Sequence, residues 1–175
     1  WPIVDARQNT RRVLTLVAAG TQLEQNQYTD APSQRIRDLY VGYITRMLQQ
    51  AGDSAEQAAT HAKTILAMET ELSAKRLGPL DARDPAKTYN IMTVAQAQVL
   101  VPSVDLNEML AQLGFKDIDR VQVHDIEGVK ALNQLLATRP KADVQALLRW
   151  STLSAGARLL GQPWSGMAEE YERQR

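Results

Sequence analysis

The sequence contains no cysteine, which excludes disulfide bonds, cysteine-ligated zinc, iron–sulfur clusters and thiol catalysis. Histidine is nearly absent, with His61 and His124 far apart in the chain. Twenty Lys and Arg residues balance 20 Asp and Glu residues, so the chain lacks the basic excess that binding to nucleic acid or anionic membranes requires. No apolar run approaches the roughly 20 residues that span a bilayer. These absences leave few classes of enzyme site open.

The sequence also lacks the short motifs of several enzyme classes. His61 is followed by Ala-Lys-Thr-Ile, so the zinc-binding pattern His-Glu-x-x-His is absent. There is no glycine-rich phosphate loop and no Gly-x-Ser-x-Gly nucleophile elbow. Glu169 and Glu170 are neighbours on a predicted helix, where their side chains diverge toward solvent. We therefore predict no catalytic residue and no metal ligand in this chain, and solvated or loop-capping positions for both histidines.

The composition favours a helical protein. Ala, Leu and Gln, all compatible with helices, make up about a third of the 175 residues, whereas aromatic residues make up 5%. We predict an all-α fold with a single domain over residues 1–175, containing seven or eight helices in one irregular orthogonal bundle and at most one very short strand pair. The chain begins at Trp1 with no start Met or signal peptide, which indicates a fragment or processed piece of a longer protein.

Periodicity and capping signals predict the individual helices. The first is expected from Asp5 to Ala19, ending at Gly20, and is followed by a polar loop. The clearest helix follows Pro32 and ends at Gly52, with seven apolar residues on one face: Ile36, Leu39, Tyr40, Tyr43, Ile44, Met47 and Leu48. The segment Asp53-Ser54-Ala55-Glu56 resembles a capping box that starts a long helix to about Leu77.

The second half of the chain begins with a charged loop over residues 80–90 and continues with shorter helices. Their predicted starts are Thr93, in the capping box Thr93-Val94-Ala95-Gln96, then Ser103, Asp125, Pro140 and Pro163. After Pro140, we expect Val144, Leu147, Leu148 and Leu159 to face inward. The alternating segment Arg120–Val123 is the one credible strand, and it is too short to found a sheet.

Glu69 lies on the apolar stripe of the long helix, between Ile65 and Leu72, and is flanked by Leu66 and Met68. A buried carboxylate without a partner costs several kcal/mol, so Glu69 should be paired if it is buried. One interpretation is that its side chain reaches the edge of the stripe and is solvated. The other is a buried ion pair with the following loop, in which Arg83 is the first candidate.

Several segments together resemble the neprilysin family of zinc metalloendopeptidases, in its amino-terminal helical region. The strongest are the run from Ile65 to Leu72 and the run Arg83-Asp84-Pro85-Ala86-Lys87-Thr88-Tyr89-Asn90-Ile91-Met92-Thr93, similar to the family's "RDP-x-K-x-YN-x-M-T". Weaker matches are Asp5 with Asn9, Gly20 with Leu23, the segment Leu39–Leu48, and Val101–Leu106, where Leu106 stands in place of the usual Trp. The loop Leu23–Tyr28 departs from the family pattern and keeps one Tyr.

The resemblance implies more than the residues themselves show. Members of this family hydrolyse small peptides with a single zinc ion, whose ligands belong to a catalytic part that does not map onto this chain. The resemblance therefore implies a non-catalytic wall that shapes and restricts the substrate cavity, with zinc in the parent enzyme but none in this segment. The implied partners are the catalytic domain of the same polypeptide and the parent's peptide substrates, without nucleic acid or membrane contact. Because it contains no cysteine, the chain resembles the bacterial, exported or periplasmic members of the family. A cytoplasmic location stays open.

The family-motif residues present here are predicted to be structural. They are Glu69, Arg83, Asp84, Pro85, Tyr89 and Asn90. We expect Asp84 and Asn90 to cap backbone groups, Pro85 to fix the entry to the loop, and Tyr89 to pin the loop onto the helices. No substrate-binding residue is assigned. The alternative from another class is a free-standing helical protein-interaction module without peptidase activity, which would need an exposed apolar patch.

Overall fold

A computed structural model describes residues 2–8, 10, 12–18 and 21–175 of the chain. The chain divides into two compact units, each built from two segments that are not contiguous in sequence. Unit 1 comprises Trp1–Ala19 and Lys75–Thr138, and unit 2 comprises Gly20–Ala74 and Arg139–Arg175. Asn9 and Gly20, which contribute to the family resemblance, lie outside the described residues.

The described residues form eight α-helices and four short strands. The helices are α1 (Gln34–Gln50), α2 (Ala55–Ser73), α3 (Pro85–Thr88), α4 (Val94–Leu100), α5 (Leu106–Gln112), α6 (Ile126–Thr138), α7 (Lys141–Gly156) and α8 (Trp164–Gln174). The strands are β1 (Pro2–Val4), β2 (Arg12–Leu16), β3 (Ile91–Thr93) and β4 (Arg120–Val123), and single 3-10 turns span Gln25–Tyr28, Asp81–Arg83 and Ala157–Leu159. The prediction of a mostly helical protein is confirmed, but the sheet is larger than one strand pair.

Unit 1 is a four-stranded sheet with short helices. The strand order is β1-β2-β4-β3, in which β2 and β4 are parallel and the two outer pairs are antiparallel. In the central pair, Leu14 lies beside Val121 and Leu16 beside Val123. The apolar side chains of these strands pack with those of α4, α5 and α6 into one core, which includes Ala97, Val101, Leu106 and Leu110.

The predicted helix from Asp5 to Ala19 is wrong, because the strand β2 lies in the middle of this segment and the strand β1 ends directly before it. Val13, Leu14, Leu16 and Val17 fit the spacing of a helical face, but they also fit a buried strand. Pairing with β4, a segment distant in sequence, decides in favour of the strand. β-Branched residues are also suited to the pleated environment of a sheet. Arg120–Val123 is a strand, as predicted, and it lies inside the sheet, not in an isolated pair.

Unit 2 is built from α1, α2, α7 and α8, with α1 and α2 packed as a helical pair. Its core consists of side chains that are at most 2% exposed: Tyr40, Ile44, Met47, Leu48, Ile65, Met68, Leu72 and Trp150. The tight connection between α1 and α2 passes through Gly52, whose φ of 101° is readily adopted by glycine. The apolar face predicted for α1 is largely confirmed, because five of its seven residues are buried and the other two, Ile36 and Leu39, are half-buried.

Several predicted helix boundaries need correction. The side chain of Ser54, not Asp53, caps α2 and forms a capping box with Gln57, and α2 ends at Ser73, before Leu77. Helix α5 is capped by Asp105, not by Ser103. The box at Thr93 and Gln96 is confirmed, and Asp125 accepts a hydrogen bond from the Gly128 amide at the start of α6, as expected.

The inward face predicted for α7 is correct only in part. Leu147 is buried, but Leu148 is 55% exposed and Leu159, in the 3-10 turn after α7, is 89% exposed. Trp150 occupies the core position instead, because its large ring fills the space among the helices of unit 2. None of the described helices combines the length and apolar character needed to cross a membrane.

Candidate functional site

The charged loop of residues 81–90 forms a cluster of local contacts in unit 1. The side chain of Asp84 accepts a hydrogen bond from the Ala86 amide at 2.8 Å and so caps α3, in which Pro85 is the first residue. The side-chain amide of Asn90 donates to the Lys87 carbonyl at 2.8 Å and to the Val123 carbonyl at 3.0 Å. These bonds tie the loop to β4, so Asp84 and Asn90 satisfy backbone groups in the way the sequence predicted.

Tyr89 attaches this loop to the segment that follows β1. Its hydroxyl donates to a carboxylate oxygen of Asp5 at 2.8 Å, and the Arg7 guanidinium lies 4.3 Å from the centre of its ring. The Asp5 carboxylate also accepts hydrogen bonds from the amides of Arg7 and Gln8. Tyr89 therefore pins the loop to the segment after β1. The sequence predicted that it would pin the loop to the helices.

Glu69 is 1% exposed in α2, so the interpretation in which it is buried is correct and the one in which it is solvated is wrong. The Tyr28 hydroxyl donates to Oε2 at 2.7 Å, and the Tyr40 hydroxyl lies 2.9 Å from both carboxylate oxygens. Among the described residues, no Arg or Lys forms an ion pair with this carboxylate. The predicted pair with Arg83 is therefore wrong: phenol hydroxyls satisfy Glu69, while Arg83 ends the 3-10 turn Asp81–Arg83 in unit 1.

The two phenols are held in orientation by donors behind them. The Tyr28 oxygen accepts from the backbone amides of Gln22 and Leu23 at 3.0 and 3.1 Å, and the Tyr40 oxygen accepts from Nε1 of Trp150 at 2.9 Å. With these N–H groups occupying their acceptor positions, both hydroxyl protons point to Glu69. The network Tyr28–Glu69–Tyr40–Trp150, called here the Glu69 network, links the loop before α1 to three helices.

Burial raises the pKa of Glu69 to about 7, and the hydrogen bonds from Tyr28 and Tyr40 oppose that rise. The same burial, with the nearby Glu69 charge, raises the pKa of both tyrosines, which therefore stay protonated as donors. The sequence placed Glu69 on the apolar stripe of the long helix and left its burial open, and it missed the partners of the carboxylate. The usable signal was a Tyr on the buried stripe of α1, because a buried hydroxyl needs a hydrogen-bond partner.

A second polar centre holds the connection between α1 and α2 against α7. The Asp53 carboxylate accepts hydrogen bonds from Nδ1 of His61 at 2.8 Å and from the Arg149 guanidinium, which also donates to the Ala51 carbonyl. Burial alone would raise the pKa of Asp53, but the bonds from His61 and Arg149 outweigh it and hold that pKa below its ordinary value. His61 thus has a structural partner.

Neither centre resembles a metal site. Within the described ranges, no three His, Asp or Glu side chains converge closely enough to hold a metal ion. Both centres consist of side chains that satisfy one another or the backbone. Their geometry is that of a scaffold.

Comparisons with known proteins identify the family of the chain. Over residues 1–175 the chain matches the family model for the amino-terminal region of peptidase family M13. The chain therefore belongs to peptidase family M13, in its amino-terminal region. It is 24% identical over 180 residues to endothelin-converting enzyme-like 1 from mouse, covering 98% of this chain and 23% of that protein. The rat protein of the same name is also 24% identical, with the same coverage.

Solved structures show the same fold. The cryo-EM structure of the zinc metalloprotease Zmp1 of Mycobacterium tuberculosis in its open state gives a TM-score of 0.90 at 23% identity. The crystal structure of that protein with an inhibitor gives 0.89 at 23% identity. In both cases the match covers 98% of this chain and 27% of the other. The chain thus spans about a quarter of the length of the relatives it matches.

Proposed function

We propose that this chain is a non-catalytic helical wall of an M13 zinc metallopeptidase, shaping the peptide cavity and restricting the size of substrates. The observation that carries the proposal is the match of residues 1–175 to the amino-terminal model of the family. Two related proteins are named as a converting enzyme-like protein and a zinc metalloprotease, and the chain spans about a quarter of each. The hydrolysis of small peptides is therefore attributed to the complete polypeptide.

The residues of the chain support a scaffolding role. The sequence contains no His-Glu-x-x-His motif, which supplies two zinc ligands and the general base in enzymes that carry it. Its polar side chains are used internally: the Glu69 network joins helices of unit 2, and Asp84 and Asn90 order the loop of unit 1. The partner on this proposal is a catalytic domain in the same polypeptide, which would bind the zinc. Export to the periplasm or the medium belongs to the same proposal.

The decisive experiment uses the complete coding sequence. We expect a His-Glu-x-x-His motif downstream of Arg175, and we expect the purified full-length protein to bind one zinc ion and hydrolyse short peptides. The polypeptide of residues 1–175 alone should do neither. A stop codon at Arg175 with no peptidase activity would contradict the proposal and favour the free-standing interaction module.

The restriction of substrate size needs its own measurement. A set of peptides sharing one cleavage sequence, extended from about 8 to about 60 residues with flexible flanks, would be compared by kcat/KM. A closed cavity predicts a sharp loss of kcat/KM with length, whereas an open active site predicts similar values. The same peptides digested by an unrelated open-cleft protease provide the control for accessibility of the cleavage sequence.

A further inference from the structure

Unit 2 contains a partly enclosed cavity of about 260 Å³ that the proposed function does not use. Four aromatic side chains line it: Tyr40, Tyr43, Trp150 and Tyr171. The charged residues along it are Arg158, Glu172 and Arg175. We call this space the aromatic cavity. It is smaller than the roughly 300–1,000 Å³ typical of pockets for drug-sized ligands, so it suits a small molecule.

The rings around the aromatic cavity pack closely against one another. Tyr43 and Tyr171 are stacked, with ring centres 4.6 Å apart and planes 4° from parallel. Trp150 meets Tyr43 nearly at a right angle, with centres 5.3 Å apart. At least one face of each stacked tyrosine is therefore covered, which limits the face-on contact that a cation prefers. Aromatic edges carry partial positive charge, so a ring edge that lines the cavity favours a negatively charged or electron-rich group.

Two polar features of the aromatic cavity lack a strong partner among the described residues. Tyr171 is 6% exposed, and its hydroxyl has no hydrogen-bond partner among the described residues. A buried hydroxyl in that state is destabilising until it finds an acceptor. The Arg158 guanidinium lies 3.8 Å from the Glu172 carboxylate, farther than a hydrogen bond, with 70% of its side chain exposed. With Arg175, the cavity has two cations to one anion.

We propose that the aromatic cavity binds a small organic carboxylate that carries a planar apolar group. In this arrangement, the planar group contacts the aromatic wall and the carboxylate pairs with Arg158. The Tyr171 hydroxyl donates to an oxygen of the ligand and so gains its missing acceptor. Guanidinium–carboxylate pairing is strong because the hydrogen bonds are charge-assisted and can be bidentate.

The test measures binding of 3-phenylpropionate to the complete polypeptide by isothermal titration calorimetry, after removal of divalent metals with EDTA. Three matched probes separate the contributions: 3-phenylpropionamide lacks the charge, propionate lacks the ring, and phenethylammonium reverses the charge. We expect 3-phenylpropionate to bind at least tenfold more tightly than each of the three. Equal binding of the acid and its amide, tighter binding of the ammonium compound, or no binding of the acid at millimolar concentration would overturn the proposal.

Variants locate the binding within the cavity. Arg158→Gln should weaken binding of 3-phenylpropionate about tenfold, because the carboxylate loses its charged partner. Arg173→Gln makes the same charge change at an exposed residue that does not line the cavity, and it should leave affinity unchanged. Equal losses in the two variants would point to long-range charge alone and contradict a specific site.

Tyr171→Phe should have opposite effects on the stability of the free protein and on its affinity for the ligand. Without ligand, the variant should melt at a higher temperature, since an unpartnered buried hydroxyl has been removed. With 3-phenylpropionate, it should bind several-fold more weakly than the wild type. Unchanged affinity would exclude the Tyr171 hydroxyl as a ligand contact and contradict the arrangement proposed here. Because binding is measured without zinc, its failure is distinct from a failure of peptide hydrolysis, which is measured on the zinc-loaded enzyme.

Discussion

The Tyr28 hydroxyl donates a hydrogen bond to Oε2 of Glu69 at 2.7 Å, and its oxygen accepts hydrogen bonds from two backbone N–H groups in the loop before α1. One phenol thus satisfies three polar groups at once, and the Leu23 amide and the Glu69 carboxylate among them are buried. Its removal leaves the amides of Gln22 and Leu23 and one carboxylate oxygen without this partner. The contact therefore contributes more to stability than a typical hydrogen bond between two groups.

Tyr28→Phe should lower the free energy of unfolding by about 2–3 kcal/mol, since each buried polar group left unpaired costs about 1–3 kcal/mol. The measurement is urea denaturation followed by far-UV circular dichroism. Tyr43→Phe is the matched control, because Tyr43 is also buried but contributes mainly ring packing. We expect its change to stay within about 0.5 kcal/mol. Similar losses in both variants would contradict the role given to the Tyr28 hydroxyl.

Glu69 makes stability depend on pH. Its pKa is about 7 in the folded chain, compared with 4.5 as its ordinary value. Between these values the folded state binds more protons than the unfolded state, so the free energy of unfolding falls as pH rises through this window and levels off above about 7. At one pKa unit per 1.36 kcal/mol, the contribution of this residue amounts to about 3 kcal/mol.

Glu69→Gln removes this titration. Unfolding measured at pH 5 and at pH 8 should show a smaller loss of stability in the variant than in the wild type, by up to about 3 kcal/mol. The comparison of the two proteins cancels the contributions of the titrating groups that they share. If both proteins lose the same stability between pH 5 and pH 8, the pKa of Glu69 is not raised.

Asp53 is the second polar centre to test. Asp53→Ala leaves His61 and Arg149 without their shared carboxylate, and we expect a loss of about 2 kcal/mol, since the Asp53 side chain is 8% exposed. Glu71→Ala is the control, because it breaks an exposed ion pair with Arg139 and should cost less than about 1 kcal/mol. Melting temperatures by calorimetry rank the two variants. Equal shifts would indicate that the Asp53 centre behaves as a surface pair.

Two glycines in helices should respond in opposite directions to alanine. A Cβ atom at Gly128 would lie 2.6 Å from Oδ2 of Asp125, and this carboxylate is fixed by the amides of Gly128 and Leu77. Gly128→Ala should therefore destabilise unit 1, by about 1–2 kcal/mol. Hydrogen exchange at the amides of Leu77 and Gly128 would show the loss of protection directly.

Gly42 provides the comparison. It lies within α1, with nothing within 4 Å of the position that a Cβ atom would take. Gly42→Ala should raise stability by up to about 1 kcal/mol, because alanine favours the helix by that amount. A loss of stability in Gly42→Ala would show that this face of α1 is more crowded than the structure indicates.

The sequence predicts what local patterns determine. Helix α1 follows from the spacing of its buried residues, and α4 follows from its capping box, because both signals lie within one or two turns. The sequence could not predict β2, whose state depends on pairing with β4 more than 100 residues later. The partners of Glu69 were missed for the same reason: Tyr28 and Tyr40 are 41 and 29 positions away. A buried carboxylate can be recognised locally, but the group that satisfies it is chosen by the tertiary fold.

The division of the chain into interleaved segments sets an order of assembly during synthesis. Unit 1 has all of its residues once Thr138 has left the ribosome, although Gly20–Ala74 is inserted within it. Unit 2 is incomplete at that moment, because α1 and α2 still lack α7 and α8, and the Tyr40 hydroxyl still lacks the indole of Trp150. Glu69 can therefore reach its final hydrogen-bonded state only after α7 has been synthesised. Truncation before α7 would leave the carboxylate, and the apolar faces of α1 and α2, without their native cover.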